Sequence, residues 1–103
     1  MIDKKYLEGY NKVFNEKFPG VVVIIDPEVG GLYYRDGEVF LGLFGLPEGQ
    51  RIEFMKFCME ELPAIQEREW LPEYHVLSHT MEETKKHYPK IYDKYFKNKE
   101  VKQ

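Results

Sequence analysis

At 103 residues the chain is sized for one domain with a single two-layer core, and its one cysteine, Cys58, excludes an internal disulfide. Eight Tyr, seven Phe and one Trp load the apolar fraction with large rings, yet no apolar run approaches the length of a membrane span. The net charge of −3 is unevenly spread. Residues 1–20 carry four lysines against three acids, residues 21–79 carry eleven acids against four basic groups, and residues 80–103 carry seven lysines against four acids. An acidic middle argues against a nucleic-acid grip by the main body, because phosphate contacts need Lys or Arg. The Lys-rich end reads by default as a solvated helix face. The start, Met1-Ile2-Asp3-Lys4-Lys5, has no apolar block of the secretory kind. Together with the lone thiol, this points to a reducing, cytoplasmic setting.

The first predicted element is a helix over residues 4–18, with Asp3 as its N-cap. Tyr6, Leu7, Tyr10, Val13, Phe14 and Phe18 fall on one arc at helical spacing, and Glu8, Asn11, Lys12 and Asn15 on the other. Pro19-Gly20 stops it. A β block follows. Residues 21–25 form a β-branched run, residues 32–35 follow the Gly30-Gly31 pair, and Asp36-Gly37 turns the chain into residues 38–44. The pattern predicts a three-strand antiparallel meander. In its first strand Val21, Val23 and Ile25 point one way and Val22 and Ile24 the other; in its third, Val39, Leu41 and Leu43 oppose Phe40 and Phe44. Both faces are therefore apolar, whereas a sheet covered on one side only should alternate apolar with polar. Either helices cover both faces or one face is offered to a partner.

A second helix is expected over residues 48–61, entered through Pro47. Ile52, Met55, Cys58, Met59 and Leu62 share one arc and Phe54 and Phe57 the opposite flank, so this helix is apolar over most of its circumference. Pro63 ends it or opens a short helix over residues 64–69. Trp70-Leu71-Pro72 reads as a turn and residues 74–78 as a short fourth strand. Thr80 and Glu83 form a capping box that opens a helix at Met81, and Pro89 kinks or restarts it. Tyr88, Ile91, Tyr92, Tyr95 and Phe96 form the last apolar stripe, and residues 97–103 read as a frayed tail. The expected fold is one α+β domain spanning residues 1–103, in the order α-β-β-β-α-β-α.

Four constellations invite a chemical reading. His79, Glu83 and His87 have the spacing of a helix face, but Thr80 as N-cap leaves His79 outside the helix. His75 and His79, four strand residues apart, stand about 13 Å from each other, too far for one ion. Cys58 sits between Met55 and Met59, the setting of a buried thiol rather than a nucleophile. The turn from Gly45 to Gly49 precedes a helix, but lacks the Walker and dinucleotide spacings. Glu60, Glu61, Glu67, Glu69 and Glu73 cluster around the second helix and the turn after it.

No catalytic set, metal or cofactor is indicated. The function expected is a non-enzymatic interaction module, such as a regulator, inhibitor or immunity-type protein. Its surface for a larger protein partner is assigned to Phe57, Glu60, Glu61, Glu67, Glu69 and Trp70, rings to anchor and charge to steer. The alternative is a small metal- or ligand-binding protein or hydrolase using His75, His79 and His87 with nearby glutamates. A homodimer through the extra apolar sheet face is compatible with the first reading.

Overall fold

Strand β2 (Phe40–Leu46) is apolar at every position, and such a strand can be stable only between two covering layers. The computed structural model describes residues 4–24 and 40–97, and there it supplies both layers. The elements are α1 (Lys4–Lys17), β1 (Val22–Ile24), β2, α2 (Arg51–Glu60), α3 (Leu62–Glu69), β3 (His75–Thr80), α4 (Met81–His87) and α5 (Pro89–Tyr95). The described strands form a mixed sheet in the order β1-β2-β3. Leu41, Leu43 and Leu46 of β2, with Val21 and Val23, pack against Tyr10 and Phe14 of α1, Phe54 and Phe57 of α2 and Leu62 of α3. Phe44, with half-buried Val22 and Ile24, packs against Ile91, Tyr92 and Phe96 at the other side. Helices therefore cover one apolar face and the Phe44 end of the other, while Leu77 of β3, paired with Gly42 on that second side, remains 37% exposed.

The α+β class holds, but the antiparallel meander does not. β1 lies directly beside β2, with Val22 opposite Phe44 and Ile24 opposite Gly42, so no strand stands between them. The expected fourth strand is β3. It runs to Thr80 and lies parallel to β2, with Phe40 opposite His75 and Leu43 opposite Ser78. A parallel neighbour needs a crossover, and α2 and α3 are that crossover. The strand predicted over residues 32–35, the Asp36-Gly37 turn, the Asp3 cap and residues 98–103 lie outside the described residues.

The outer edge of β1 is closed by side chains. Asn11 Nδ2 donates to Val23 O at 2.9 Å, and Val23 N donates back to Asn11 Oδ1 at 2.7 Å. Asn15 Nδ2 donates to Val21 O at 2.7 Å, and its Oδ1 accepts from Gly20 N at 2.9 Å. The two asparagines, one helical turn apart, act as a substitute strand along an edge that would otherwise present unpaired backbone groups. They are thus not the solvated polar arc that helical spacing suggested.

β2 carries one extra residue between Leu43 and Leu46 relative to β3. Gly45 sits there with φ +83°, and its N–H donates to Thr84 Oγ1 at 3.3 Å. Phe96 fills the space where a Cβ on Gly45 would project, 2.6 Å from the ring. The Gly45–Gly49 turn is therefore shaped by packing and by the entry into α2. Gly49, at φ +82°, also delays the start of α2 from residue 48 to Arg51. The Thr80–Glu83 capping box is formed in both directions, and Pro89 opens α5.

Candidate interaction surface

The turn after α3 is built from the inside out. Tyr10, fully buried on α1, donates its hydroxyl proton to Pro72 O. Gln66 Nε2 donates to the same hydroxyl oxygen at 2.8 Å. Leu71 N donates to Gln66 O at 2.8 Å, which ties the turn back to the helix. Burial pushes the Tyr10 phenol up to about 12, so it remains a proton donor at neutral pH. Gly9 lets the turn come close to α1, since a Cβ there would stand 2.5 Å from Leu71 Cδ2. A glycine inside a helix costs about 1 kcal/mol relative to alanine, and this contact is its physical reason.

Trp70 is the residue this network presents. It closes α3 in the left-handed region, φ 58° and ψ 36°, where glycine is the usual occupant. Among the described residues it is the only non-glycine with positive φ. It is also 86% exposed. A rigid ring held in a strained conformation and left in water is a feature to connect with binding.

Two shallow cavities of about 310 and 290 Å³ flank it and share Tyr6, Trp70 and Leu71. The larger has Lys5 and Lys12 of α1 on one wall and Glu69 on the other; the smaller has Gln66, Glu67 and Pro72. Lys5 Nζ lies 5.2 Å from the centre of the Tyr6 ring. Glu69 accepts from Arg68 at 3.5 Å, a surface pair of small energetic consequence. The site is thus an apolar, ring-walled groove with both signs of charge on its rim.

Of the six residues expected to meet a partner, Glu67, Glu69 and Trp70 come together at this groove. Glu60 and Glu61 are exposed where α2 meets α3. Phe57 is a correction. It is 5% exposed and lies edge-on to the Phe18 ring at 5.9 Å, inside the core. The α1 wall, Lys5, Tyr6 and Lys12, was missed, because nothing local says that residues 60 positions apart share a groove. The one available signal was Gly9, a helix-interior glycine between large rings.

Two of the three histidines, His75 and His79, are engaged with rings. His79 stacks on Phe44 at 4.7 Å and meets Tyr88 at 4.7 Å, while His75 stacks on Phe40 at 4.8 Å. Burial holds the His79 imidazole below its ordinary pKa; nearby Glu83 opposes that shift, and Arg51 and His87 reinforce it. The Glu83 carboxyl is held low, first by the Thr80 backbone N–H and then by Arg51, which also forms an ion pair with it. Among the described residues no group of three His, Cys, Asp or Glu side chains is placed to share a metal ion. Cys58 is half-buried, and burial pushes its thiol up to about 11, far from a reactive thiolate at neutral pH. No described helix is long and apolar enough to cross a membrane. Comparison of the chain with protein-family models, with curated proteins and with solved structures finds no match.

Proposed function

We propose that the chain is a non-enzymatic interaction module, a small regulator or inhibitor, which binds a larger protein through the Trp70 groove. The observation that carries this reading is Trp70 itself, an indole left 86% exposed on a left-handed turn that buried Tyr10 and Gln66 hold in place. In this reading an apolar side chain of the partner enters beside Tyr6 and Leu71, and the indole covers it. Lys5 and Lys12 on one rim and Glu67 and Glu69 on the other orient the partner's charges, which sets register and encounter rate more than affinity.

The test uses the protein's own reporter, because the sequence contains one tryptophan. A partner captured from the host and identified by mass is purified and titrated into the chain. Indole emission is expected to move to shorter wavelength on binding, and Trp70→Ala to weaken binding by about 30-fold or more, the scale of a hot-spot ring. Unchanged emission together with equal binding by Trp70→Ala removes the proposal.

A further inference from the structure

The outer strands of the described sheet are finished differently. β1 is closed by Asn11 and Asn15, whereas β3 is paired with β2 on one side only. The register fixes which backbone groups of β3 point outward. Val23 N and O are held by Asn11 on the outer side of β1, so Val22 and Ile24 are the β1 residues that bond Phe44 and Gly42 of β2. Backbone direction alternates along a strand, which leaves the N–H and C=O of Leu41 and Leu43 to face β3. Lying opposite Val76 and Ser78 in a parallel ladder, they bond the flanking His75, Leu77 and His79. The N–H and C=O of Val76 and Ser78 therefore point away from the sheet.

Side-chain contacts agree with that direction. Arg51 Nη2 reaches Ser78 O at 3.4 Å, and the next outward donor, Thr80 N–H, bonds Glu83 Oε1 at 2.9 Å. Among the described residues nothing bonds Val76 N, Val76 O or Ser78 N. β3 (His75–Thr80) also contains no Lys, Pro, Asp or Glu, the residues that usually blunt an open edge. Between Val76 and Ser78 stands Leu77, 37% exposed.

We infer that a second copy of the chain pairs with this edge, β3 against β3, antiparallel about a twofold axis at Leu77. The open groups select both the occupant and the register. With Leu77 opposite its own copy, Val76 stands opposite Ser78 of the second copy, and each such pair exchanges both of its N–H to O bonds. The isologous contact is therefore self-complementary. A register centred on Ser78 would set Val76 against Thr80, whose N–H is already bonded to Glu83. One centred on Val76 would set Ser78 against Tyr74, outside the strand. Arg51 can stay in place, because a carbonyl oxygen has a second lone pair. At the axis the Leu77 pair is of the non-hydrogen-bonded kind, with Cα atoms about 4.5 Å apart, so the exposed leucines cover each other. The contact covers less than the roughly 800 Å² per partner of a standard interface, which makes the association weak and concentration-dependent. This edge is separate from the Trp70 groove, and the two proposals stand or fall independently.

Sedimentation equilibrium from about 10 µM to about 1 mM tests it, the range that separates weak from absent pairing. The expected result is a mass rising from 12.4 kDa toward twice that value. Amide exchange of the wild type, read by NMR over the same range, should slow with concentration at Val76 and Ser78, while Leu77 N–H, inside the ladder to β2, stays protected throughout. Ser78→Pro removes an outward donor that β2 does not use, a position where an edge strand tolerates proline, and is expected to hold the chain at the single mass. Leu77→Lys sets like charges at the axis and serves as a second disruptor should Ser78→Pro fail to fold; an unchanged circular dichroism spectrum checks each. A single mass for the wild type at every concentration overturns the proposal, and slowed exchange at Val76 and Ser78 only on adding another protein would assign the edge to that protein's strand instead. Pairing that survives both disruptors, or that leaves the Val76 and Ser78 amides exchanging as fast as in the single chain, overturns the β3 geometry.

Discussion

Replacing Trp70 by glycine and by alanine separates what the residue does for the fold from what it does for a partner. The left-handed conformation at φ 58° costs a bulky L-residue about 1–2 kcal/mol. The ring gives little in return, since at 86% exposure only about a seventh of it is covered. Against the roughly 250 Å² an indole buries when fully enclosed, that is about 35 Å², or about 0.9 kcal/mol at about 25 cal/mol per Å². Trp70→Ala loses that contact and keeps the strain, so it should fall about 0.5–0.9 kcal/mol below wild type. Trp70→Gly loses the same contact and relieves the strain, so it should match wild type or exceed it by up to about 1 kcal/mol. Urea unfolding followed by circular dichroism measures both, and a 1 kcal/mol difference moves the midpoint temperature of a domain this size by about 4–8 °C. Both variants should lose partner binding. A glycine variant no more stable than the alanine variant, or one destabilised by over about 2 kcal/mol, would show that the indole is a structural cap.

Three further outcomes follow from the packing. Asn11→Ala leaves the Val23 N–H and C=O of β1 unpaired and should cost about 1.5–3 kcal/mol in urea unfolding, a helix-propensity gain of about 0.6 kcal/mol included. Lys12→Ala, exposed on the same helix, should change stability by under about 0.5 kcal/mol, and equal costs for the two would remove the edge-closing role of Asn11. Gly45→Ala combines a left-handed backbone with a Cβ 2.6 Å from the buried Phe96 ring, so a loss of about 2–3 kcal/mol is expected; a loss below about 1 kcal/mol would mean the ring moves aside freely. The His79 pKa in the folded chain is below its unfolded value, so its contribution to stability is complete above about pH 6.5 and is lost as pH falls through the folded pKa. His79→Phe keeps a ring between Phe44 and Tyr88 and should flatten the fall in urea midpoint between pH 7 and 5. The Glu83 carboxyl, held low, stays ionised across that window. An unchanged pH slope would assign the acid sensitivity to other groups.

Whatever depends on neighbours in the chain was legible from the sequence. Helical spacing from Tyr6 to Phe18 predicted α1, the Thr80–Glu83 pair predicted the cap of α4, and Pro89 predicted its restart as α5. The double-sided apolar pattern of β2 called for cover on both faces, and α1–α3 supply it on one side and α4–α5 at Phe44 on the other. Glu67, Glu69 and Trp70 were singled out because acids beside a ring are visible in sequence; Glu69 lines one of the two cavities beside Trp70 and Glu67 the other.

Choices between elements far apart in sequence were settled by tertiary structure alone. Periodicity says which residues of α2 share a side, but not which side the sheet takes. Phe54 and Phe57 are in the core because they fit among Phe14 and Phe18 of α1, and Ile52, Met55 and Met59 are left outside as a result. The direction of β3 follows from the crossover that α2 and α3 make, not from its six residues. Asn11 and Asn15 look like solvated helix positions until the edge of β1 is placed beside them. At the groove Gly9 leaves room for the Leu71 side chain against α1, a contact between residues some 60 positions apart that depends on shape rather than on any local pattern.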